Sequence, residues 1–313
     1  MNRPPALRTP RALAAAGVLT VALMASGCSV LTSATTRPGV IAAVGAENEY
    51  ADVISQIGGQ YVQVTAIMDN PNTDPHSFEA SPQVAEDVSA AQLVVQNGLG
   101  YDTFMNRIEA AAPDAHRKVV DVQTLLGLPD ATANPHLWYK PTTMPAVANA
   151  VADDLAELDP DHAALFHANA RRFVVSLAPW YAAIAKLKAD FPNVSVATTE
   201  PVGDYLLEAA GTVNRTPWAL QADIMNGVDP SPQDVSIESD LLSQHQVRVF
   251  VYNQQVTDSL TQSFLNQARS AGIPVVGVFE TMPTPGYTYQ SWMLAETEAL
   301  QSALADNRST EKL

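Results

Sequence analysis

Two histidines in matching settings and two glutamates in matching settings are the side chains of this sequence best suited to a shared chemistry. His76 stands in Asp74-Pro75-His76 and His136 in Asn134-Pro135-His136. A proline before the histidine restrains the approach of the chain, so the imidazole is presented from a defined turn. Glu200 and Glu280 each follow a short β-rich run, Val194 to Thr198 and Pro274 to Phe279, with Pro201 and Pro283 close behind. Taken singly, each histidine reads as a surface turn residue, because Asp-Pro and Asn-Pro open turns, and each glutamate as a solvated loop charge. As a set they read differently: two imidazoles from the first half and two carboxylates from the second all fall at expected carboxyl ends of strands, where open α/β sheets place ligands. If the halves face each other, the four converge on one cleft. Calcium and magnesium prefer all-oxygen shells and do not suit two imidazoles. Two carboxylates cancel the charge of a divalent ion, and without thiolates there is no reason to expect copper(I) or an iron–sulfur cluster. Bidentate carboxylates would raise the donor number toward manganese, whereas monodentate ones give a four-coordinate site suited to zinc.

The elements that must position these residues follow an alternating rhythm. Val40 to Val44, Val62 to Met68, Leu93 to Gln96 and Val119 to Val122 read as strands, with helices over Glu49 to Ile57 and Thr103 to Ala111. Ser81-Pro82 reads as a helix start, a capping hydroxyl followed by proline at the first helical position. After Pro192 the rhythm returns with strands at Val194 to Thr198, Val247 to Tyr252 and Pro274 to Phe279, and helices near Tyr205 to Ala210, Asp258 to Ser270 and Tyr287 to Leu304. Alternation of this kind predicts an α/β fold of two lobes, residues 39–158 and 193–313, each a parallel sheet flanked by helices. Between them, Phe166, Ala170, Phe173, Leu177, Tyr181, Ile184, Leu187 and Phe191 recur at helical spacing. Residues 159–192 are therefore expected as one long linking helix, about 48 Å from Pro160 to Phe191 at ~1.5 Å per residue, kinked at Pro179. The alternative is a core helix broken in two at that proline.

The chain has 313 residues, of which 47% are apolar, enough to core two domains. With 17 Lys+Arg against 33 Asp+Glu it is acidic, and its basic residues cluster no further than Arg117-Lys118 and Arg171-Arg172, which argues against nucleic acid as a partner. Its one cysteine, Cys28, excludes an internal disulfide. Arg3, Arg8 and Arg11, the apolar stretch from Ala12 to Met24 and the small residues Ala25-Ser26-Gly27 lead into it. This is the pattern of a signal peptide over residues 1–27, ending in a lipobox whose cysteine is acylated. The apolar run falls short of the ~18–20 residues of a membrane span, the alternative reading. Residues 28–38 would then be a lipidated tether that holds a soluble protein at a membrane face.

Several of these stretches together resemble the solute-binding lipoproteins of manganese and zinc ABC importers, the cluster A-I family. The resemblance runs over essentially the whole mature chain. It rests on Thr73-Asp74-Pro75-His76-Ser77-Phe78-Glu79, Asn97-Gly98, Asn134-Pro135-His136-Leu137-Trp138, the central helix, Thr199-Glu200-Pro201 and Phe279-Glu280-Thr281. It implies that His76, His136, Glu200 and Glu280 are the metal ligands and that the central helix is a rigid strut limiting lobe closure. Two positions depart from the family pattern. The second histidine motif usually begins with Asp and carries an acidic or amide residue after the tryptophan turn, where this chain has Asn134 and Lys140. The last ligand is usually Asp, here Glu280. Glutamate at the third ligand position goes with the manganese branch of the family, and the sequence has no histidine-rich loop of the kind common in zinc receptors.

The function this implies is capture of one Mn2+ or Zn2+ ion, manganese being favoured, outside the cytoplasmic membrane. Delivery would be to permease subunits served by a cytoplasmic ATPase, by a monomer anchored through Cys28. Asp74 and Asn134 are candidates for orienting the ligand histidines, although an Asx turn also accounts for Asp74. His116, His162, His167 and His245 read as surface residues. Two other classes use the same residues, a metal-dependent hydrolase and a surface adhesin with a structural metal. The hydrolase would need an open coordination position with a nearby base, and no HExxH motif is present.

Overall fold

The first strand, β1 (Ile41–Glu47), is buried along nearly its whole length. That is what a strand in the middle of a parallel sheet, covered on both faces, requires of its sequence. The computed structural model describes residues 39–72 and 74–313, so the signal peptide, Cys28, the tether and Thr73 lie outside the described residues. After β1 come α1 (Asn48–Gly58), β2 (Val62–Met68), α2 (Pro82–Ala90), β3 (Leu93–Gln96), α3 (Thr103–Ala111), β4 (Lys118–Asp121), the short α4 (Val122–Leu125) and α5 (Thr143–Leu158). The four strands are parallel in the order β2-β1-β3-β4.

The chain then passes through α6 (Ala163–Ser176) and α7 (Ala178–Asp190) into a second set: β5 (Ser195–Thr198), α8 (Asp204–Ala209), β6 (Val213–Asn214), α9 (Trp218–Met225), α10 (Pro232–Ser243), β7 (Val249–Asn253), α11 (Ser259–Ser270), β8 (Val275–Val278) and α12 (Tyr289–Asp306). These strands are also parallel, in the order β6-β5-β7-β8, the same winding as the first sheet. Strand order reverses between β1 and β3 and between β5 and β7. The carboxyl ends of these pairs form the crevices in which doubly wound sheets bind ligands. The two parallel sheets flanked by helices agree with the α/β architecture expected from the sequence.

The central segment differs in one respect from the single kinked helix. It is two helices in tandem, preceded by a 3-10 turn over Pro160–His162 and separated at Leu177. Pro179 has no N–H to give the Val175 carbonyl, and one turn before it the ladder tightens, with Leu177 N donating to Val174 O at 3.3 Å. The apolar face continues across the break through Leu177, Ile184 and Leu187 and differs from the expected stripe at one position. Trp180 rather than Tyr181 enters the core, 1% exposed, and its indole N–H donates to Thr297 Oγ1 at 3.0 Å. Accordingly α6 packs on α1 and α5 of the first half, and α7 on α8 and α12 of the second.

One apolar core runs through both halves. It includes Tyr50, Ile54 and Ile57 of α1, Trp138 and Tyr139, Phe173, Trp180, and Tyr289, Trp292 and Met293 of α12. Smaller clusters fill the outer faces, one under α2 and α3 and one under α9, α10 and α11. Buried hydrogen bonds cross the same junction: Tyr289 Oη donates to Trp138 O at 2.6 Å, Tyr139 Oη to Phe279 O at 2.7 Å, and Asn48 and Met282 exchange a pair at 2.8 and 3.0 Å. Opening the junction would hydrate large aromatic surfaces and orphan buried polar groups, so it resists hinge motion. Among the described residues no helix is long and apolar enough to cross a membrane.

Candidate metal centre

His76 follows β2 in a 3-10 turn over Pro75–Ser77. The turn is held by Asp74, whose Oδ1 accepts the His76 backbone N–H at 2.8 Å while its carbonyl accepts Ser77 Oγ at 2.7 Å. Asp74 thus makes an Asx turn. The backbone of His76 is exposed, but its imidazole is only 22% exposed and stands edge-on to Tyr101, with ring centroids 5.2 Å apart.

His136 is wholly buried. Asn134 Oδ1 accepts both its backbone N–H at 3.0 Å and its ring Nδ1–H at 2.8 Å, while Asn134 Nδ2 donates to Pro201 O at 2.8 Å. Because Pro201 O can only accept, the amide orientation is set, Nδ1 of His136 must be the donor, and Nε2 is left with its lone pair facing the cleft. The Pro135 carbonyl accepts from Asn97 Nδ2 at 2.8 Å.

Glu280, just past β8, is fully buried. Its own backbone N–H and that of Thr281 donate to Gln255 Oε1 at 2.6 and 2.8 Å, which fixes the turn. Glu280 Oε2 lies 3.1 Å from His76 Nε2 and 3.2 Å from His136 Nε2, and accepts a 3.0 Å hydrogen bond from Tyr101 Oη. The ligand atoms of His76, His136 and Glu280 all lie within 4.8 Å of one another. Glu200 is buried at 2% exposure, next to this group but not one of the three. The two carboxylates are linked through Asn253, whose Nδ2 donates to Glu280 Oε1 at 2.7 Å and to Glu200 Oε1 at 3.1 Å. Glu200 Oε2 is buried without a hydrogen-bond partner.

Electrostatics follow from the burial. For Glu280 burial opposes ionisation, but His136 and His76, which when protonated donate to it and carry positive charge, outweigh it and hold the carboxyl well below the usual range. Burial, then the charge of Glu280, pushes Glu200 well above that range despite the Asn253 hydrogen bond. Burial lowers His136, with Glu280 only partly offsetting it. In His76 burial acts the same way but is outweighed by the hydrogen bond and charge of Glu280 and by Asp74, so it is raised. A proton entering the site goes to His76 before His136. The neutral His136 Nε2 and the Glu280 carboxylate then point lone pairs at a common space, an arrangement that a cation relieves.

Tyr101, Asn253 and Gln255 escaped sequence reasoning. Tyr101 sits in a loop where Gly98, Leu99 and Gly100 all have positive φ, +80°, +53° and +80°. Asp102 ties that loop down by accepting Asn97 N at 2.6 Å and Gly98 N at 3.0 Å. Two more acids, Glu47 and Glu49, are buried at the start of α1 with unpartnered carboxyl oxygens, and burial raises both well above the carboxylate range. Of the remaining histidines, His116 and His245 are exposed as expected, whereas His162 and His167 are half-buried. His162 stacks on Tyr61 at 3.8 Å between centroids and pairs with Asp159 at 2.7 Å.

Residues 44–303 match the family model described as zinc-uptake complex component A, periplasmic. The manganese-binding lipoprotein MntA of Halalkalibacterium halodurans is 30% identical over 165 residues, 51% of this chain and 54% of that protein. MntA of Bacillus subtilis is 22% identical over 265 residues, covering 82% of this chain and 85% of that protein. Among solved structures, the periplasmic zinc binding protein TroA from Treponema pallidum superposes with a TM-score of 0.72 at 18% identity, over 86% of this chain and all of TroA, and so shares the fold. The family model spans most of the chain, and the chain belongs to the family of periplasmic zinc-uptake components on which that model is built.

Proposed function

We propose that this protein is the extracytoplasmic receptor of a metal ABC importer, which captures one divalent transition ion between its lobes and delivers it to membrane permease subunits served by a cytoplasmic ATPase. The observation that carries the reading is the convergence of His76 Nε2 and His136 Nε2 on Glu280 Oε2 at 3.1 and 3.2 Å. Glu200 Oε2, buried and without a partner, supplies the fourth donor. Two neutral imidazoles and two carboxylates neutralise a divalent charge and suit manganese or zinc. Manganese is favoured as cargo, a choice that relatives named as manganese-binding lipoproteins support. Asp74 and Asn134 orient the two histidines. Cys28 is the site of lipidation, and the protein works as a monomer tethered to the outer face of the cytoplasmic membrane, the periplasmic side where an outer membrane exists. A carrier needs a closed shell of donors and no reacting group.

Titration calorimetry of the mature protein with Mn2+ and Zn2+ tests the reading. One ion per chain is expected, with affinity reduced at least a hundredfold in His76→Ala and Glu280→Ala while circular dichroism is unchanged. Unaltered binding in both variants would refute it.

A further inference from the structure

We infer that Asn253 restricts Glu200 and Glu280 to one donor oxygen each, and so sets the balance between zinc and manganese at the site. The inference rests on the receptor reading above and concerns a residue outside its ligand set.

Asn253 ends β7 and is 1% exposed, so water does not compete for its side chain. Its orientation is fixed from both sides. Oδ1 accepts the Gln255 backbone N–H at 3.0 Å, and its own backbone N–H donates to Thr199 Oγ1 at 3.0 Å. The amide cannot flip without losing the Gln255 bond and turning an acceptor toward two carboxylates. Held this way, it has two N–H groups for two acids: Nδ2 donates to Glu280 Oε1 at 2.7 Å and to Glu200 Oε1 at 3.1 Å.

Each carboxylate keeps one oxygen for an ion. For Glu280 it is Oε2, which faces the two imidazoles and also takes the Tyr101 hydroxyl. For Glu200 it is the unpartnered Oε2. With His76 and His136 that makes a four-donor set, which suits zinc. Manganese gains from additional oxygen donors. Chelation by both oxygens of either acid would compete with the Asn253 hydrogen bond. Asn253 therefore weakens manganese relative to zinc.

Cobalt(II) absorption of the mature protein, together with competition between Mn2+ and Zn2+, tests this in the wild type and in Asn253→Ala and Asn253→Ser. The wild type is expected to show the intense visible bands of four-coordinate cobalt. In both variants the bands should weaken toward five- or six-coordination, and the zinc-to-manganese affinity ratio should fall at least tenfold. Weak six-coordinate absorption in the wild type overturns the inference without recourse to any variant, as does an unchanged spectrum and ratio in folded variants. Wild-type protein that binds none of the three ions would overturn the receptor reading and this inference with it. Wild-type binding that His76→Ala abolishes, with a ratio indifferent to Asn253, would overturn the inference alone.

Discussion

Asn134 Oδ1 receives both N–H groups that His136 can offer on that side, the backbone at 3.0 Å and ring Nδ1 at 2.8 Å, while the same side chain donates across the cleft to Pro201 O at 2.8 Å. One neutral amide thus chooses the imidazole tautomer and ties it to the backbone beside Glu200. Tyr205 Oη donates to the Asn134 carbonyl at 2.9 Å, so the second half braces this turn twice. Residues that orient a ligand histidine carry roughly 10–100-fold in metal affinity. Asn134→Ala is expected to weaken Mn2+ and Zn2+ binding by about that factor without unfolding the protein. Calorimetry beside a melting curve checks it, and full affinity in a folded variant would show that the tautomer is set elsewhere.

Acidification should release the ion. His76 lies above the ordinary histidine value, so metal must displace its proton first, and His136, which is lowered, takes a proton only at lower pH. Apparent affinity should fall by up to about tenfold per pH unit below the His76 value and more steeply as His136 protonates. In the apo protein the raised His76 value works in the opposite sense for stability. Its contribution is complete below about pH 6.5 and is lost as pH rises through the folded value. Binding isotherms between pH 8 and pH 5 measure the first effect. A flat profile would be incompatible with imidazole donors.

The strand ends were readable in the sequence because short runs such as Leu93 to Val95 and Val275 to Val278 are apolar throughout. The ends of β2, β5 and β8 lead toward His76, Glu200 and Glu280. What lay beyond reading was the polar packing between those residues. Asn253 and Gln255 stand in a run, Tyr252-Asn253-Gln254-Gln255, that carries no motif, and their roles exist only once β7 lies between β5 and β8. Tyr101 is likewise an ordinary loop aromatic until the fold sets it on Glu280, 179 residues later. The helix α5 is a different case. Its Met144, Val147, Ala148, Val151, Ala152 and Leu155 are all buried at helical spacing, a period present in the sequence but without the caps that mark α2 and α11. At Leu177 the periodicity of α6 and α7 runs on across the break, and only the missing N–H of Pro179 hints at it.

Glu296 ties the two halves together below the site. Burial raises its carboxyl to about 8, so at neutral pH it is protonated: it donates to Tyr139 Oη at 2.6 Å, whose own hydrogen goes to Phe279 O, and it accepts Trp292 Nε1 at 2.8 Å and Phe279 N at 3.3 Å. Tyr139→Phe removes the hydroxyl that accepts from the protonated Glu296 and donates to Phe279 O, leaves both groups buried without that partner, and should cost about 1–3 kcal/mol of stability. Chemical denaturation measures this, and an unchanged midpoint would show that the junction does not depend on that bond.

Glu238 in α10 is buried, and burial, only partly offset by the Thr216 hydroxyl, pushes its pKa up to about 8. The folded state holds a proton that the unfolded state gives up near pH 4.5, so stability falls as pH rises between those values by at most about 1.4 kcal/mol per unit. Glu238→Gln should match the wild type below pH 4.5 and exceed it increasingly up to pH 8. Equal pH profiles for the two proteins would contradict the burial argument.

Anomalous diffraction from crystals grown with Mn2+ or Zn2+ shows whether one transition ion is held where the two halves meet. A single strong peak per chain is expected within bonding distance of His76 Nε2, His136 Nε2 and Glu280 Oε2, with Glu200 Oε2 as the fourth donor. A peak elsewhere on the chain, or no peak at the cleft at saturating metal, would contradict the receptor reading.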